Sequence, residues 1–443
     1  MGRRIRFEEL VRIALLALVM TLIPLPSHAD SLVPTDFRFI GSGYGHGVGM
    51  SQIGARGQAL SGKTAVEILK YYYTGVDVTP YPDNALIRVN IANLIPSVNF
   101  SVVDGKGSFA LYQGDIAPLD NPEPIGRYTG DFTATFTNFA GTVVPLLTSP
   151  TAKLAPFTPA PAWTLRWETG TVIAIGTTTA TTQYKYGQIV IKSIANPIAS
   201  YLAVTNTLRL HDEYLFGIGE VPSSWPDAAL EAQVIASRTF ALTRLNRIRP
   251  ECDCNIYSTI SDQSFIGYSK EIEPIYGAKW KAAVMRTFVD DNSAQVLTLS
   301  GKPIYSYFFS SSGGASLNIK DVWGGGDVSY LQSVPDPWSL DSTLNPRYIG
   351  WSRFVSQETM AQVFGLGDVL TYVINSRTLS GSIASITAVS STGQQSTLTG
   401  EVFRSRVRLP STWIYNSPSN VRYRLSAIEW DGSTNLQIGR AHV

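Results

Sequence analysis

Between Trp225 and Arg247 the pattern of apolar and polar positions reads as one long helix. Leu230, Val234, Ala241, Leu242 and Leu245 recur at roughly helical spacing, with no glycine or internal proline. Pro226 stands at the first helical position, where its missing N–H costs nothing. Asp227 places a negative charge at the positive end of the helix dipole. Five alanines on a mixed face predict close packing against a neighbouring element. A second helix is announced by the capping box Thr64-Ala65-Val66-Glu67. Residues 86–193 read as β-rich: LIRVNIANL, TATFTNF, TVIAIG and QIVIKSI are apolar or alternating runs set between Gly, Pro, Asn and Asp. Further on, a helix is expected around Gln357–Phe364. Strands are expected around Thr371–Ile374, Ile383–Val389 and Val402–Arg408. Pro150–Pro161 reads as a loop or short linker, and Thr177–Thr182 as a threonine-rich turn or strand edge. The fold class is α+β.

The two ends read differently from the middle. Arg3, Arg4 and Arg6 precede the apolar run Ile13–Leu25, and Ser27-His28-Ala29 supplies small residues for cleavage. Met1–Ala29 is therefore expected to be a secretory signal peptide, its apolar run too short for a comfortable membrane span. The mature protein is expected outside the cytoplasmic membrane, secreted and wall-associated, with no membrane contact after cleavage. Ile438–Val443 reads as a translated sequencing adapter, which removes His442 from any site.

A chain of 443 residues can bury a real core and hold several domains. With 35 basic against 34 acidic residues there is no field to draw in nucleic acid or an acidic membrane. Only 16% of residues are charged, while Tyr, Thr and Ser are plentiful. Such a surface suits sugars.

The candidate chemistry is concentrated. Glu220 lies in a loop otherwise apolar or small, six residues before Pro226. Burial there disfavours the charged carboxyl, as a general acid near neutral pH requires. Taken alone, it also fits an ordinary solvated carboxylate. His46 stands in the glycine loop GSGYGHGVGMSQIGA, followed by Ser51 and Gln52, and by spacing alone fits a structural hydrogen-bonding histidine. A dinucleotide loop is excluded, because a second capped helix interrupts the one that motif needs. Gln263, in DQSFIG, and Ser310-Ser311-Ser312-Gly313-Gly314 offer an amide, hydroxyls and bare backbone for a saccharide. A Ser-His-Asp hydrolase is disfavoured by four histidines in all and no GxSxG elbow. Cys252 and Cys254 are the only cysteines. Three states stay open for them: a disulfide across one residue, a structural zinc site with His46 or His211, or free thiols.

The segment YLFGIGEVPSSWPDAALEAQVIASRTFAL, Tyr214–Leu242, resembles the core motif of the SpoIID/LytB family. Val221 replaces that motif's methionine, Gly219 precedes the acid and Ser237 replaces an alanine. GHGVGMSQIGA, Gly45–Ala55, resembles the family's glycine signature, and SSSGG and VPDPW at 310–314 and 334–338 resemble two further elements. In the family's familiar order the glycine signature follows the catalytic part; here it precedes it, as a permutation would place it. The resemblance implies a peptidoglycan lytic transglycosylase with Glu220 as its single catalytic acid; no cofactor is expected, though some family members carry a metal near the cysteines, so a structural zinc stays open. It implies glycan contacts from His46, Ser51, Gln52, Arg238, Gln263, Ser310, Ser312 and Gly313. Glycan strands are the implied partner. The family's amidase-enhancer name supplies a rival: a wall-binding protein that stimulates an amidase. The implied division is 1–29 signal peptide and 30–100 glycine-signature element. A β-rich insertion at 101–195, the catalytic core at 196–345 and an α/β part at 346–437 follow, with 438–443 artefactual.

Overall fold

The computed structural model describes residues 33–415 apart from 153, 155, 177–180 and 196–198, together with Val421 and Arg422. The expected signal peptide, the adapter-like tail and most of the threonine run lie outside these residues. Helix and sheet are mixed along the chain, as the α+β reading requires. No helix among the described residues is long and apolar enough to cross a membrane.

Helix α1 (Gln52–Leu60) is followed by α2 (Ala65–Tyr72), then by α3 (Asp227–Leu242) and α4 (Gly277–Arg286). The capping box forms: Thr64 Oγ1 accepts the Glu67 N–H at 3.3 Å, and the Glu67 carboxylate accepts the Thr64 N–H at 2.8 Å. Helix α3 ends three residues before Leu245, where the chain turns. It is the hub of the fold, packed against α1, α2 and α4. Its alanines explain how. Ala232, Ile235 and Ala236 face one apolar core with Met50, Ile68, Leu69 and Phe309. Leu230, Val234, Phe240 and Ala241 face a second, built on the sheets. Small side chains let one helix approach neighbours on both sides.

That second core lies between two antiparallel sheets. The larger runs, in spatial order, Ile256–Tyr257, Leu86–Ile95, Ser200–Arg209, Gln188–Ala195, Ala162–Trp167, Ser108–Gln113 and Gly126–Thr129. Only the short first strand is parallel to its neighbour. The smaller sheet carries Ser97–Val102, Thr133–Phe139, Thr142–Thr148 and Ile173–Gly176, with Thr181–Tyr184 at its edge. Phe100 and Phe136 share one continuous core with Leu230 of α3 and Trp280 of α4. The β-rich stretch is thus packed into the helices rather than tethered to them.

A third core is formed by another set of residues. Strand Asp36–Gly41 pairs antiparallel with Trp351–Ser356, and Phe37 and Phe39 pack with Met360, Tyr372, Ile386 and Phe403. The helix Gln357–Phe364 and strand Ile383–Val389 form where the pattern places them. Val402–Arg408 is a correction. Gly400–Val407 is helical, not a strand. Thr399 Oγ1 caps it by accepting the Val402 N–H, and the buried Gly400, Phe403 and Val407 share one helical face. The alternation of Val, Phe and Arg that reads as a strand also fits this short helix.

Candidate active site

Two chain crossings bring the site together. Strand Met50–Ser51 pairs in parallel with Phe308–Phe309. Gly49, at φ +80°, permits this approach, because a Cβ there would lie 1.9 Å from the Tyr307 carbonyl oxygen. The pairing sets α1 between the Ser310 segment and α3: the Ile53 N–H donates to the Ser310 carbonyl at 3.0 Å. The second crossing joins the loop before α3 to the segment after the cysteines. Gly219 N–H donates to the Ser264 carbonyl, and Ile266 N–H to the Gly217 carbonyl, both at 2.8 Å.

Glu220 hangs from that second crossing, half-buried. Its carboxylate accepts the Ser264 N–H at 2.5 Å and a side-chain hydrogen bond from Gln52. Burial pushes its pKa up to about 7, against the opposing pull of these two donors. The carboxyl is therefore half-protonated at neutral pH and can both give and take a proton. A polar chain runs inward behind it. Gln52 Nε2 donates to Gln233 Oε1 (3.2 Å), and Gln233 Nε2 donates to Ser237 Oγ (3.1 Å). Gln263 Nε2 donates to the Ser237 carbonyl (3.2 Å), and the Tyr214 hydroxyl donates to Gln263 Oε1 (2.7 Å). The amides of Gln233 and Gln263 are each held at both ends.

The remaining expected contact residues fall into two groups. Arg238 is a correction. Its side chain has no exposed surface and is ion-paired to the equally buried Asp83 at 2.8 Å, with Thr287 Oγ1 accepting from it at 2.9 Å. It cannot touch a ligand. Its charge is compensated inside, and burial still pulls its pKa down to about 10. Gln263, Ser51 and Ser312 are also fully closed off, so they too are corrected from contact residues to supports. Ser51 caps α1 by accepting the Gly54 N–H at 3.1 Å. Ser312 Oγ donates to Asp336 at 2.7 Å, as do Ser339 Oγ at 2.6 Å and Tyr72 OH at 3.1 Å. Asp336, unmarked by any pattern except the VPDPW run, is the buried hub of that corner.

His46, Ser310 and Gly313 keep partial exposure. His46 is ringed by Tyr307, Phe309 and Trp323, with ring centroids 6.2, 5.9 and 5.0 Å away. Its Nδ1 accepts the Val48 N–H at 3.0 Å, and the ring also bonds the Phe308 backbone. Burial first, then the positive Arg404, lowers its pKa to about 4, so it is neutral near pH 7. Gly313 gives its bare Cα to Trp413, since a Cβ would sit 2.2 Å from that ring. The glycine serves the protein's own packing.

Cys252 and Cys254 are bonded to each other, which selects the disulfide among the three states left open. Neither sulfur is then offered to a metal, and no group of His, Cys, Asp and Glu suited to a metal occurs among the described residues. His211, the other candidate zinc ligand, lies 2.7 Å from Asp83 through Nδ1. Sequence reasoning missed Gln233 as a partner of Gln52, and the Ser264 amide. Neither has a signature, because a buried amide and a backbone N–H acquire a role only through what folds against them.

Fold and site together define an α+β protein with a carboxyl of raised pKa, held in a loop ahead of a buried central helix. Residues 199–298, which carry Glu220, α3 and the disulfide, match the family described as stage II sporulation protein. Over that segment the match, together with the relatives below, supports a likeness to the SpoIID/LytB family. It is similar to stage II sporulation protein D of Bacillus subtilis (strain 168), 28% identical over 194 residues, covering 38% of this chain and 55% of that protein. The Bacillus amyloliquefaciens protein of the same name is 27% identical over 193 residues, again covering 55% of its length. The chain thus spans about half the length of these relatives. An amidase enhancer of Bacillus subtilis (strain 168) is 28% identical over 141 residues, 32% of this chain and 16% of that protein. No solved structure matches the chain significantly.

Proposed function

We propose that this protein is an exported peptidoglycan lytic transglycosylase, cleaving the bond between N-acetylmuramic acid and N-acetylglucosamine without water. The observation that carries the reading is Glu220, a carboxyl whose pKa is pushed up to about 7 by burial. Ordinary glycosidases divide acid and base or nucleophile between two carboxylates. A single carboxyl near neutral pKa can serve both roles in turn. As the acid, Glu220 protonates the bridging oxygen while the bond from that oxygen to the anomeric carbon breaks. As the carboxylate, it takes the proton of the muramic acid's own primary hydroxyl, whose oxygen bonds the anomeric carbon. The products are a free sugar hydroxyl and an anhydro end, with the acid restored. Gln52, donating to Glu220, orients the carboxyl, and the partly exposed His46 and Ser310 are the proposed glycan contacts.

Glu220→Gln keeps the shape and removes the titrating proton. Cleavage of purified glycan strands is expected to fall about a hundred- to ten-thousand-fold while glycan binding survives. Digestion in heavy-oxygen water is expected to leave the released anhydro ends unlabelled by mass spectrometry. Labelled reducing ends would make the protein a hydrolase. The likeness to an amidase enhancer favours a second reading: stimulation of a wall amidase by parent and Glu220→Gln alike, with no cleavage by either, would establish that instead.

A further inference from the structure

The Ser264 N–H, 2.5 Å from Glu220, is held in place from upstream. Asp262, two residues earlier and with a side chain only 4% exposed, accepts three N–H bonds. One comes from the Tyr257 amide at 2.8 Å, and two from the guanidinium of Arg249 at 2.7 and 2.8 Å. A bidentate pair of this kind fixes direction as well as distance. Arg249 in turn stands on the disulfide loop. Its N–H donates to the Cys254 carbonyl at 2.7 Å, and its carbonyl accepts from the amides of Cys252 and Cys254 at 3.3 and 3.4 Å. The loop is clamped from the other side. Asp253, in the left-handed region at φ +50°, is paired with Arg88 and with Lys192, and both cysteines are fully buried.

We propose that the Cys252–Cys254 bridge, Arg249 and Asp262 form a positioning relay that holds the Ser264 amide against the Glu220 carboxyl from a loop outside the site. Its catalytic consequence rests on the reading of Glu220 as the reacting acid; its geometry does not. The relay matters because a backbone N–H aimed at a carboxylate favours the charged form, and is one of two donors opposing burial here. Other ionisable groups stand on the surrounding elements, among them Lys279, which donates to the Trp225 carbonyl at 2.6 Å, and Glu273, paired with Lys270. Tyr214 is buried with its phenol raised, Lys270 donates to the Val221 carbonyl at 2.8 Å, and Arg56 of α1 lies over Trp225.

Two variants separate positioning from plain charge. Asp262→Asn removes a negative charge, whose direct effect would lower the Glu220 titration midpoint. Losing the amide acts in the opposite direction. Replacing both cysteines, Cys252→Ser with Cys254→Ser, changes no charge at all. Difference infrared titration of the full-length protein reads the Glu220 carboxyl band, assigned by its loss in Glu220→Gln. The midpoint is expected to rise by about one pH unit in both variants, with a cooperative melt retained. A midpoint lowered in Asp262→Asn, or unmoved in the double cysteine variant, overturns the relay. Should Asp262→Asn fail to fold, Arg249→Lys breaks the same fork at a side chain 19% exposed and must raise the midpoint too. The band is read without turnover, so an inactive glycan assay would defeat the proposed function and leave this result standing.

Discussion

Glu220 is the residue at which burial and hydrogen bonding compete most openly. Its pKa in the folded protein, about 7, lies above the 4.5 of the ordinary group, so the folded state holds the extra proton between those values. Stability therefore falls as pH rises from 4.5 to 7, and the loss is complete above 7. Glu220→Gln removes the penalty. Urea unfolding is expected to show the variant roughly 1–3 kcal/mol more stable than the parent at pH 8 and equal to it at pH 4. A difference independent of pH would mean that the carboxyl is not desolvated. Glu220 stood out in the sequence through the motif that frames it, since a carboxyl among small and apolar neighbours taken alone also fits a solvated one. Its two donors did not. Gln52 comes from a distant helix and Ser264 contributes only its backbone, so neither leaves a mark where Glu220 stands.

Between elements, the deciding contacts are buried polar joints rather than apolar faces. Asp83 joins the turn at His211 to α3 at Arg238, all three side chains at or near zero exposure. Breaking a buried pair by removing one partner strands the other charge, at a cost of about 3–5 kcal/mol. Asp83→Ala is expected to destabilise by that amount in chemical denaturation, and Asp83→Leu with Arg238→Met to recover most of it. Recovery with glycan binding intact would establish Arg238 as a support. Helix α3 and the capping box of α2 were legible because their rules are local: proline at the start, charge at the dipole, reciprocal bonds three residues apart. Gly400–Val407 was misread for an equally plain reason. Eight residues contain too few turns for periodicity to separate helix from strand, and the Thr399 cap with Phe403 in the core settled it.

Across the whole molecule, three apolar cores are arranged so that only two of them border α3. The third, around Phe37, Tyr372 and Phe403, is closed by the strand Asp36–Gly41 pairing with Trp351–Ser356. Phe403→Ala is expected to cost about 3–5 kcal/mol there. Hydrogen exchange should show amides of Thr371–Arg377 and Ile383–Val389 losing protection while those of α3 keep theirs, as separate cooperative units do. Equal loss in α3 would make the cores one unit. What the sequence by itself determined was the kind of element at most positions and the motif that frames Glu220. The elements follow from backbone sterics, periodicity and capping, which act over a few residues. Only the tertiary structure decided that Arg238, Gln263, Ser51 and Ser312 support the site from within, and that the cysteines bond each other. It alone set Ser264 and Gln52 on Glu220. Burial and partnership belong to segments far apart in the chain, and their values exist only once those segments have packed.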